Sequence, residues 1–235
     1  MSSARSLISS VRSQHKLLSD ATISSRAILS ELKRVSRKLI RQYSNRRQLW
    51  MTDTIFTTIP CLEMKEVSIA ECCDYHSERT IARSKHKLPR IGEGYFQYLI
   101  KSVMNITGTK KLDEITPERY INMLKLKHFK NSTYYWIQNG YIYCTNPELR
   151  AIKITVYLEE DLPSHLKYPK CEDCKTIVIS GSDKCPVNPY DEEFKAPGFL
   201  EEDIVNLTSQ KLLQTYHKIQ TDKTSDDSDD QVNKV

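Results

Sequence analysis

The strongest structural signal in this chain is the stretch Tyr134-Tyr135-Trp136-Ile137-Gln138-Asn139-Gly140-Tyr141-Ile142-Tyr143-Cys144. An Asn-Gly pair favours a type I′ turn, because both central residues of that turn need a positive φ. The flanking residues are aromatic or β-branched, and such residues suit a pleated, half-buried surface. The stretch therefore predicts a β-hairpin. Its cross-strand pairs should be Gln138 with Tyr141, Ile137 with Ile142 and Trp136 with Tyr143.

A third strand is predicted soon after the hairpin. Pro147 has no N–H to give a ladder, so it should end the second strand. In the run from Ala151 to Leu158, every second residue is aliphatic, which is typical of a strand with one buried face. Residues 133–158 thus read as a small antiparallel meander. We interpret it as scaffold, because aromatic strand pairs usually stabilise sheets rather than bind ligands.

Helices are predicted near both ends of the chain. Leu7, Val11 and Leu18 have helical spacing within residues 5–18, and a longer helix should run from Thr22 to Tyr43. Acids at residues 201–203 suit the positive end of a final helix. The predicted buried positions of the two longer helices are Ile28, Leu32, Val35 and Leu39 in the first, and Ile204, Leu207, Leu212, Tyr216 and Ile219 in the last.

The middle of the chain is predicted to contain shorter elements. Thr116-Pro117-Glu118 should begin a helix, with Thr at the N-cap and Pro at its first position. Thr54 to Ile59 is rich in β-formers, and Pro60 should limit its end to an edge or a turn. Residues 71–90 are interpreted as an exposed basic connection, and residues 159–200 as loop-rich with one possible strand from Thr176 to Ile179.

These elements predict an α+β fold. Its N- and C-terminal helices would pack as a small bundle, with an inserted antiparallel β meander and long loops. We expect N-terminal basic helices in residues 1–50 and a mixed α/β insertion in residues 51–200. Within the insertion lie the hairpin region 133–158 and the loop-rich region 159–200. A C-terminal helix over residues 201–220 would complete the bundle, ahead of an acidic tail at 221–235.

Composition limits the class of protein. The chain has 235 residues, of which 39% are hydrophobic and 28% charged, enough for a core beneath a very polar surface. It contains no apolar run of membrane-spanning length, and its first residues lack the apolar core of a signal peptide. We therefore expect a protein made and kept in a cytosol-like compartment. Its seven cysteines are expected to be reduced thiols.

The net charge of +5 is unevenly distributed along the chain. Residues 26–47 carry eight Lys or Arg residues against one acid, Glu31, and residues 79–90 carry five cations without an acid. Residues 191–203 carry six acids against Lys195. A basic front and an acidic back indicate either contact with a polyanion or head-to-tail contact between copies. The end of the chain adds further acids: Asp222, Asp226, Asp227, Asp229 and Asp230.

No motif for catalysis or cofactor binding was found. Cys171, Cys174 and Cys185 supply three ligands where structural zinc needs four, and the fourth would be His165, Cys144 or another distant residue. A weaker candidate is Cys72-Cys73 with His76. The phosphate loop, the dinucleotide-binding fingerprint, H-E-x-x-H and G-x-S-x-G are all missing from the sequence. We expect no enzyme, no cofactor and no zinc, although the three cysteines leave metal binding open.

The long predicted helix carries the sharper functional signal. Its cations have no acid at the i,i+4 spacing and suit either a phosphate backbone or an acidic protein surface, although an ordinary solvated face is also possible. No groove-reading motif accompanies them, so any nucleic-acid contact should be insensitive to sequence. The candidate partner- or DNA-facing residues are Lys33, Arg34, Arg37, Lys38 and Arg41.

Six segments in order then indicate a family. They are Leu17-Leu18-Ser19-Asp20-Ala21-Thr22-Ile23-Ser24, Ile59-Pro60-Cys61-Leu62-Glu63-Met64, Ser84-Lys85-His86-Lys87-Leu88-Pro89, Lys111-Leu112-Asp113-Glu114-Ile115-Thr116-Pro117, the hairpin with Ala151-Ile152-Lys153-Ile154, and Asn188-Pro189-Tyr190-Asp191-Glu192-Glu193-Phe194. Together they resemble the head-to-tail connector, or ring, proteins of short-tailed bacteriophages, in particular crAss-like phages. Each segment is short, and it is their order that makes the resemblance.

The resemblance implies a virion structural protein of the neck or tail, made in the host bacterial cytoplasm. Such a protein would form a homo-oligomeric ring, dodecameric by resemblance. It would join the capsid portal to other neck and tail proteins and form part of the channel for DNA during genome ejection. It would have no catalytic residues and no contact with membrane. The alternatives are a sequence-independent nucleic-acid-binding protein and, less supported, a metal-dependent enzyme, for which the ligand set is inadequate.

Overall fold

A computed structural model describes residues 2–14, 23–72, 79–95, 97–123, 133–160, 162–163, 166, 190–191 and 193–229, the last fourteen as backbone only. The chain divides into two compact units. One combines residues 1–55 with 184–235, and the other is formed by residues 56–183. Helices make up the first unit, and strands make up most of the second.

Among the described residues, helices occupy both ends of the chain and the strands lie between them. The helices are α1 (Ala4–Gln14), α2 (Ser25–Gln42), α3 (Arg47–Met51), α4 (Pro117–Met123) and α5 (Glu201–Asp229). Two 3₁₀ turns, Ile69–Glu71 and Gly198–Leu200, add to them. The strands are β1 (Thr57–Ser68), β2 (Thr80–Ser84), β3 (Ile100–Asn105), β4 (Lys111–Glu114), β5 (Tyr134–Gln138), β6 (Tyr141–Cys144) and β7 (Ala151–Val156).

The seven strands close into a barrel. Their order around it is β1-β2-β6-β5-β4-β3-β7, and β7 returns to β1. Only the β4–β5 pair is parallel among these strands, and the other neighbours run antiparallel. Closure leaves no exposed sheet edge in the barrel, so every strand has a backbone partner on both sides.

The predicted fold class, a helical bundle with an inserted β meander, is therefore wrong. The third strand of the proposed meander, β7, pairs with β1 and β3 and makes no ladder with β6. Alternation of apolar residues identifies a strand with one buried face, but it does not identify the neighbouring strand. The neighbours of β7 come from remote parts of the chain, which local patterns do not reveal.

The hairpin itself is confirmed. Asn139 and Gly140 have φ values of 54° and 78°, as a type I′ turn requires. The β5–β6 register sets Gln138 opposite Tyr141, Ile137 opposite Ile142 and Trp136 opposite Tyr143. Local turn chemistry was sufficient to fix this register.

Two other predictions in the barrel unit fail in informative ways. Residues 71–90 are not only an exposed connection, because β2 lies within them and buries Ile81 and Ala82. Strand β1 passes through Pro60 and continues to Ser68. Its register against β7 shifts between Ile59 and Leu62, and such an irregularity is where a strand tolerates a proline.

Two apolar clusters stabilise the barrel unit. The larger joins buried residues of all seven strands and includes Ile59, Ile142 and Ile154. In the other cluster, the Trp136 ring stacks on Tyr143 at 5.6 Å and contacts Tyr120 of α4 at 5.5 Å. Helix α4 begins as predicted, since Thr116 Oγ1 accepts from the Arg119 amide at 3.3 Å.

The helical unit packs α1 and α2 against α5. The predicted apolar stripe of α2 is buried, and the Ser24 side chain caps the helix by accepting from the Ala27 amide. Helix α5 buries Ile204, but Leu207 is 37% exposed, against prediction, while Thr208 and Ser209 are buried in its place. The backbone of α5 continues to Asp229, beyond the predicted end of this helix at residue 220.

The described helices include none that combines the length and apolar character needed to cross a membrane. The side chains of Cys72 and Cys144 are buried and form no disulfide, as expected for reduced cysteines. Cys61 takes part in a disulfide, so the prediction that all seven cysteines are reduced thiols is wrong for Cys61. The possible strand at Thr176–Ile179 lies outside the described residues.

Candidate partner-binding surface on the second helix

The five candidate cations lie together on one side of α2. An α-helix turns by about 100° per residue, so Lys33, Arg34, Arg37, Lys38 and Arg41 span roughly 140° of its circumference. All five are exposed, and the stripe of Ile28, Leu32, Val35 and Leu39 is buried on the opposite side. We call these five residues the basic face. The amphipathic period of the sequence produces this separation directly.

One cation of the basic face is neutralised within the chain. Arg34 Nε donates to Glu31 Oε2 at 2.8 Å, one helical turn away. This hydrogen bond and the nearby carboxylate charge raise the pKa of the Arg34 guanidinium. Glu31 Oε1 also lies 3.5 Å from Lys211 Nζ of α5. Arg34 is therefore paired by an acid at the i,i+3 spacing, although the sequence places no acid at the i,i+4 spacing.

Three cations of the basic face have no such neighbour. Within the part of the chain that the structure describes, Lys33, Lys38 and Arg41 form no ion pair. Water solvates an exposed cation well, so the lack of an ion pair does not destabilise the fold. It does leave a charged helix surface that can attract an anionic partner.

The second basic segment, residues 79–90, behaves differently. Arg83 pairs with Glu71, Lys85 Nζ lies 2.9 Å from Glu63 Oε2, and Arg90 Nε lies 3.0 Å from Glu159 Oε2. Each acid comes from a different part of the barrel unit. Although the segment has no acid of its own, the fold supplies one to each of these three cations.

An aromatic side chain completes this arrangement. The Arg83 guanidinium lies over the Tyr141 ring at 4.4 Å, and Lys87 Nζ lies 5.6 Å from the same ring centroid. Cations interact favourably with the face of an aromatic ring. Sequence patterns did not predict this cluster, because Tyr141 lies more than fifty residues from both Arg83 and Lys87 in the chain. No local signal connects the two.

Acidic groups lie at both ends of α5. At its start, Glu201 Oε2 accepts from Ser2 Oγ at 2.7 Å, and the nearby Asp191 pairs with Arg5 at 3.0 Å. Glu202 and Asp203 are exposed there and suit the positive end of the helix dipole. The far end of α5 carries Asp222, Asp226, Asp227 and Asp229.

Metal ligands do not come together among the described residues. No group of three or more His, Cys, Asp or Glu side chains there could hold an ion. The predicted cluster of Cys171, Cys174 and Cys185, with His165, lies outside the described residues, as do Cys73 and His76. Cys72 Sγ donates to the Ile69 carbonyl at 3.3 Å, and burial raises the pKa of the Cys144 thiol to about 12. That thiol stays protonated at neutral pH.

Comparison with known proteins agrees with the resemblance found in the sequence. The profile of one family, described as phage tail ring protein 2 of crAss-like phages, matches residues 6–231. No curated protein matches the chain significantly. The family is one of structural tail ring proteins and not one of enzymes. A match over nearly the whole chain covers both the helical unit and the barrel unit, and the chain therefore belongs to the phage tail ring protein 2 family of crAss-like phages.

Proposed function

We propose that this chain forms a homo-oligomeric ring in the neck or tail of the virion and joins the capsid portal to the tail. The observation that carries the proposal is the family match over residues 6–231. The protein would be made in the host bacterial cytoplasm and then incorporated into the particle. We propose twelve copies per ring, as the resemblance implies.

The distribution of charge supports assembly into a ring. A ring needs two different surfaces on each copy that fit one another and repeat around an axis. The chain has an exposed basic face on α2 and exposed acids on α5, which are candidates for such surfaces. Charge complementarity between them would fix the register of neighbouring copies and speed their encounter.

A ring between portal and tail would surround the path of the genome. The proposed DNA channel requires no base contacts, since the genome must pass regardless of its sequence. The absence of a groove-reading motif agrees with this requirement. We therefore propose contact with DNA that is transient and independent of sequence.

The mass of the assembly tests the proposal. We would measure the purified protein alone and mixed with the portal protein of the same phage, and image the mixture by electron microscopy. Rings stacked on the portal are expected, even where the free protein is monomeric. A protein that stays monomeric and does not bind the portal at any salt concentration would contradict the connector role.

Sequence-independent nucleic-acid binding is the second candidate. It is favoured by Lys33, Lys38 and Arg41, which are exposed and form no ion pair within the described residues. Phosphate contacts release counterions, so log K would fall linearly with log salt, with a slope near the number of phosphates neutralised. Tight DNA binding at physiological salt that requires these three cations, while the same variant still docks on the portal, would favour this second function.

A further inference from the structure

Helices α2 and α5 run antiparallel, in a register fixed by two contacts. The Tyr43 ring, at the end of α2, lies 6.0 Å from the Phe199 ring in the turn that leads into α5. The second contact is the ion pair between Glu31 of α2 and Lys211 of α5. Twelve residues separate the two contacts on each segment. The same register places Ser25, where α2 begins, beside residue 217.

The far end of α5 therefore extends beyond α2. Residues 218–229 continue the helix past this level, which amounts to roughly 18 Å at 1.5 Å per residue. Four aspartates belong to this extension, with Lys218 and Lys223 as its only cations. We call residues 218–229 the acidic extension. Its aspartates are Asp222, Asp226, Asp227 and Asp229.

The acidic extension cannot neutralise the basic face of its own chain. In the antiparallel register, Lys33 lies level with residue 209, so Asp222 is roughly 20 Å further along the axis. The other cations of the basic face are further still. Moreover, α5 packs on the buried side of α2, and the basic face points the other way. The acidic extension can therefore meet Lys33, Lys38 and Arg41 only on another molecule.

From this geometry we propose that the acidic extension of one copy binds the basic face of the next copy. The proposal rests on the proposed ring function and names the contact between neighbouring subunits. The two surfaces are different parts of the chain, so the contact is heterologous and can be repeated around a closed ring. Each copy contributes one basic face and receives one acidic extension. The occupant of the basic face is thus a second copy of this chain.

Charge reversal on each side tests the contact. One variant carries Lys33→Glu, Lys38→Glu and Arg41→Glu, and the other carries Asp226→Lys, Asp227→Lys and Asp229→Lys. We expect each variant alone to weaken association by about tenfold or more, because three exposed ion pairs are replaced by like charges. The chain that carries both triplets regains complementary charges and should assemble again. The readout is the mass of the assembly in solution, with portal present where the wild type requires it.

A matched control separates this effect from net charge. The variant Lys65→Glu, Lys110→Glu, Arg150→Glu reverses three exposed cations of the barrel unit and should assemble like the wild type. Far-ultraviolet circular dichroism shows that each variant remains folded. If both triplets weaken association and their combination restores it, the contact is established. If the basic triplet alone weakens association, the basic face has a different occupant, such as the portal, and the proposal fails.

Failure of the proposal differs from failure of the proposed function. If the wild type forms rings and neither triplet affects them, the ring function stands and the contact is wrong. If the wild type forms no ring alone or with portal, both are wrong. A carbodiimide cross-link adds an independent readout in mixed ¹⁴N- and ¹⁵N-labelled protein. Linked peptides of mixed isotope that join Lys33 or Lys38 to residues 222–230 support the contact, and linked peptides from single chains overturn it.

Discussion

The two basic segments of this chain look alike in sequence and differ in the folded protein. Residues 79–90 lie partly in β2, and Arg83, Lys85 and Arg90 each pair with an acid from elsewhere in the barrel unit. On the basic face of α2, Arg34 pairs with Glu31, whereas Lys33, Lys38 and Arg41 form no ion pair among the described residues. A run of cations in a sequence therefore does not by itself indicate a surface that needs a partner.

The difference follows from geometry. A strand in a barrel has a neighbour on each side, so remote residues are brought within reach of its charges. An amphipathic surface helix has one face against the core and the other toward solvent, where only residues of the helix itself are near. Among the described residues, Lys33, Lys38 and Arg41 form no ion pair, and Glu31, the one acid within α2, pairs with Arg34. The comparison therefore favours α2 as the interaction surface.

The largest expected effect comes from reversing a charge in the paired segment. Arg83→Glu would place a carboxylate beside Glu71 and remove the guanidinium from the Tyr141 ring. The Arg83 side chain is only 12% exposed. Breaking a buried pair costs about 3–5 kcal/mol, and the half-exposed Glu71 reduces this to roughly 2–3 kcal/mol. Urea unfolding followed by circular dichroism measures the loss. A free energy of unfolding equal to that of the wild type would show that the pair contributes nothing.

The hairpin that carries Tyr141 to this cluster provides the next test. Gly140 has a φ of 78°, so Gly140→Val would put a β-branched residue in a strained conformation, at a cost of about 1–3 kcal/mol. Gly198→Ala is the matched control, since no atom lies within 4 Å of the added carbon and its φ is not positive. We expect a lower melting temperature for the first variant only. An equal effect of the two substitutions would contradict the turn assignment.

High pH should weaken the barrel unit through a neighbour of β2. Cys144 pairs with Ala82 of β2 and Tyr135 of β5, and burial raises the pKa of its thiol from 9.0 to about 12. In the unfolded chain the thiol loses its proton near pH 9, whereas in the folded chain it keeps it. The unfolded state then binds fewer protons, so stability falls as pH rises from 9 to 12. At pH 10 the loss is about 1 kcal/mol.

Comparison with Cys144→Ala isolates this effect. The variant lacks the thiol, so its free energy of unfolding should depend less on pH in this range. The difference in free energy of unfolding between wild type and variant should therefore shrink as pH rises. Chemical unfolding at pH 8, 9 and 10 provides the measurement. A constant difference across that range would mean that the thiol does not titrate in the way its burial requires.

The smallest effect on stability is expected on α2. Lys38→Glu changes the same charge as Arg83→Glu, but at an exposed position without an ion pair among the described residues, and should alter stability by about 0.5 kcal/mol or less. The same unfolding experiment gives this value. A loss as large as that of Arg83→Glu would remove the contrast between the two basic segments.

Local patterns predicted the parts of the fold that depend on local interactions. The Asn139-Gly140 turn, the register of its strands, the stripe of α2 and the start of α4 at Thr116 could all be read from adjacent residues. The closed barrel could not, because β1 pairs with β7 across about ninety residues. Strand β2 was missed because its five residues lie between charges that suggest a loop.

The basic face of α2 was also predictable only as far as local sequence patterns reach. The five cations of the basic face follow from helical spacing alone, and the structure confirms that all five are exposed on one side of α2. Which cations are neutralised could not be deduced, because Glu71, Glu63 and Glu159 reach the other basic segment only through the fold. Whether a partner binds the basic face remains a prediction.

The helical unit combines segments from both sides of the barrel unit in the sequence, so it forms late during synthesis of the chain. Its first helices and α5 are separated by the whole barrel, so the apolar stripe of α2 stays uncovered until about 160 further residues have been made. At 5–20 residues per second, this delay lasts roughly 10–30 s. During that interval α2 is a candidate client for chaperones. Because the unit packs α1 and α2 against α5, a nascent chain that ends before residue 201 cannot form it.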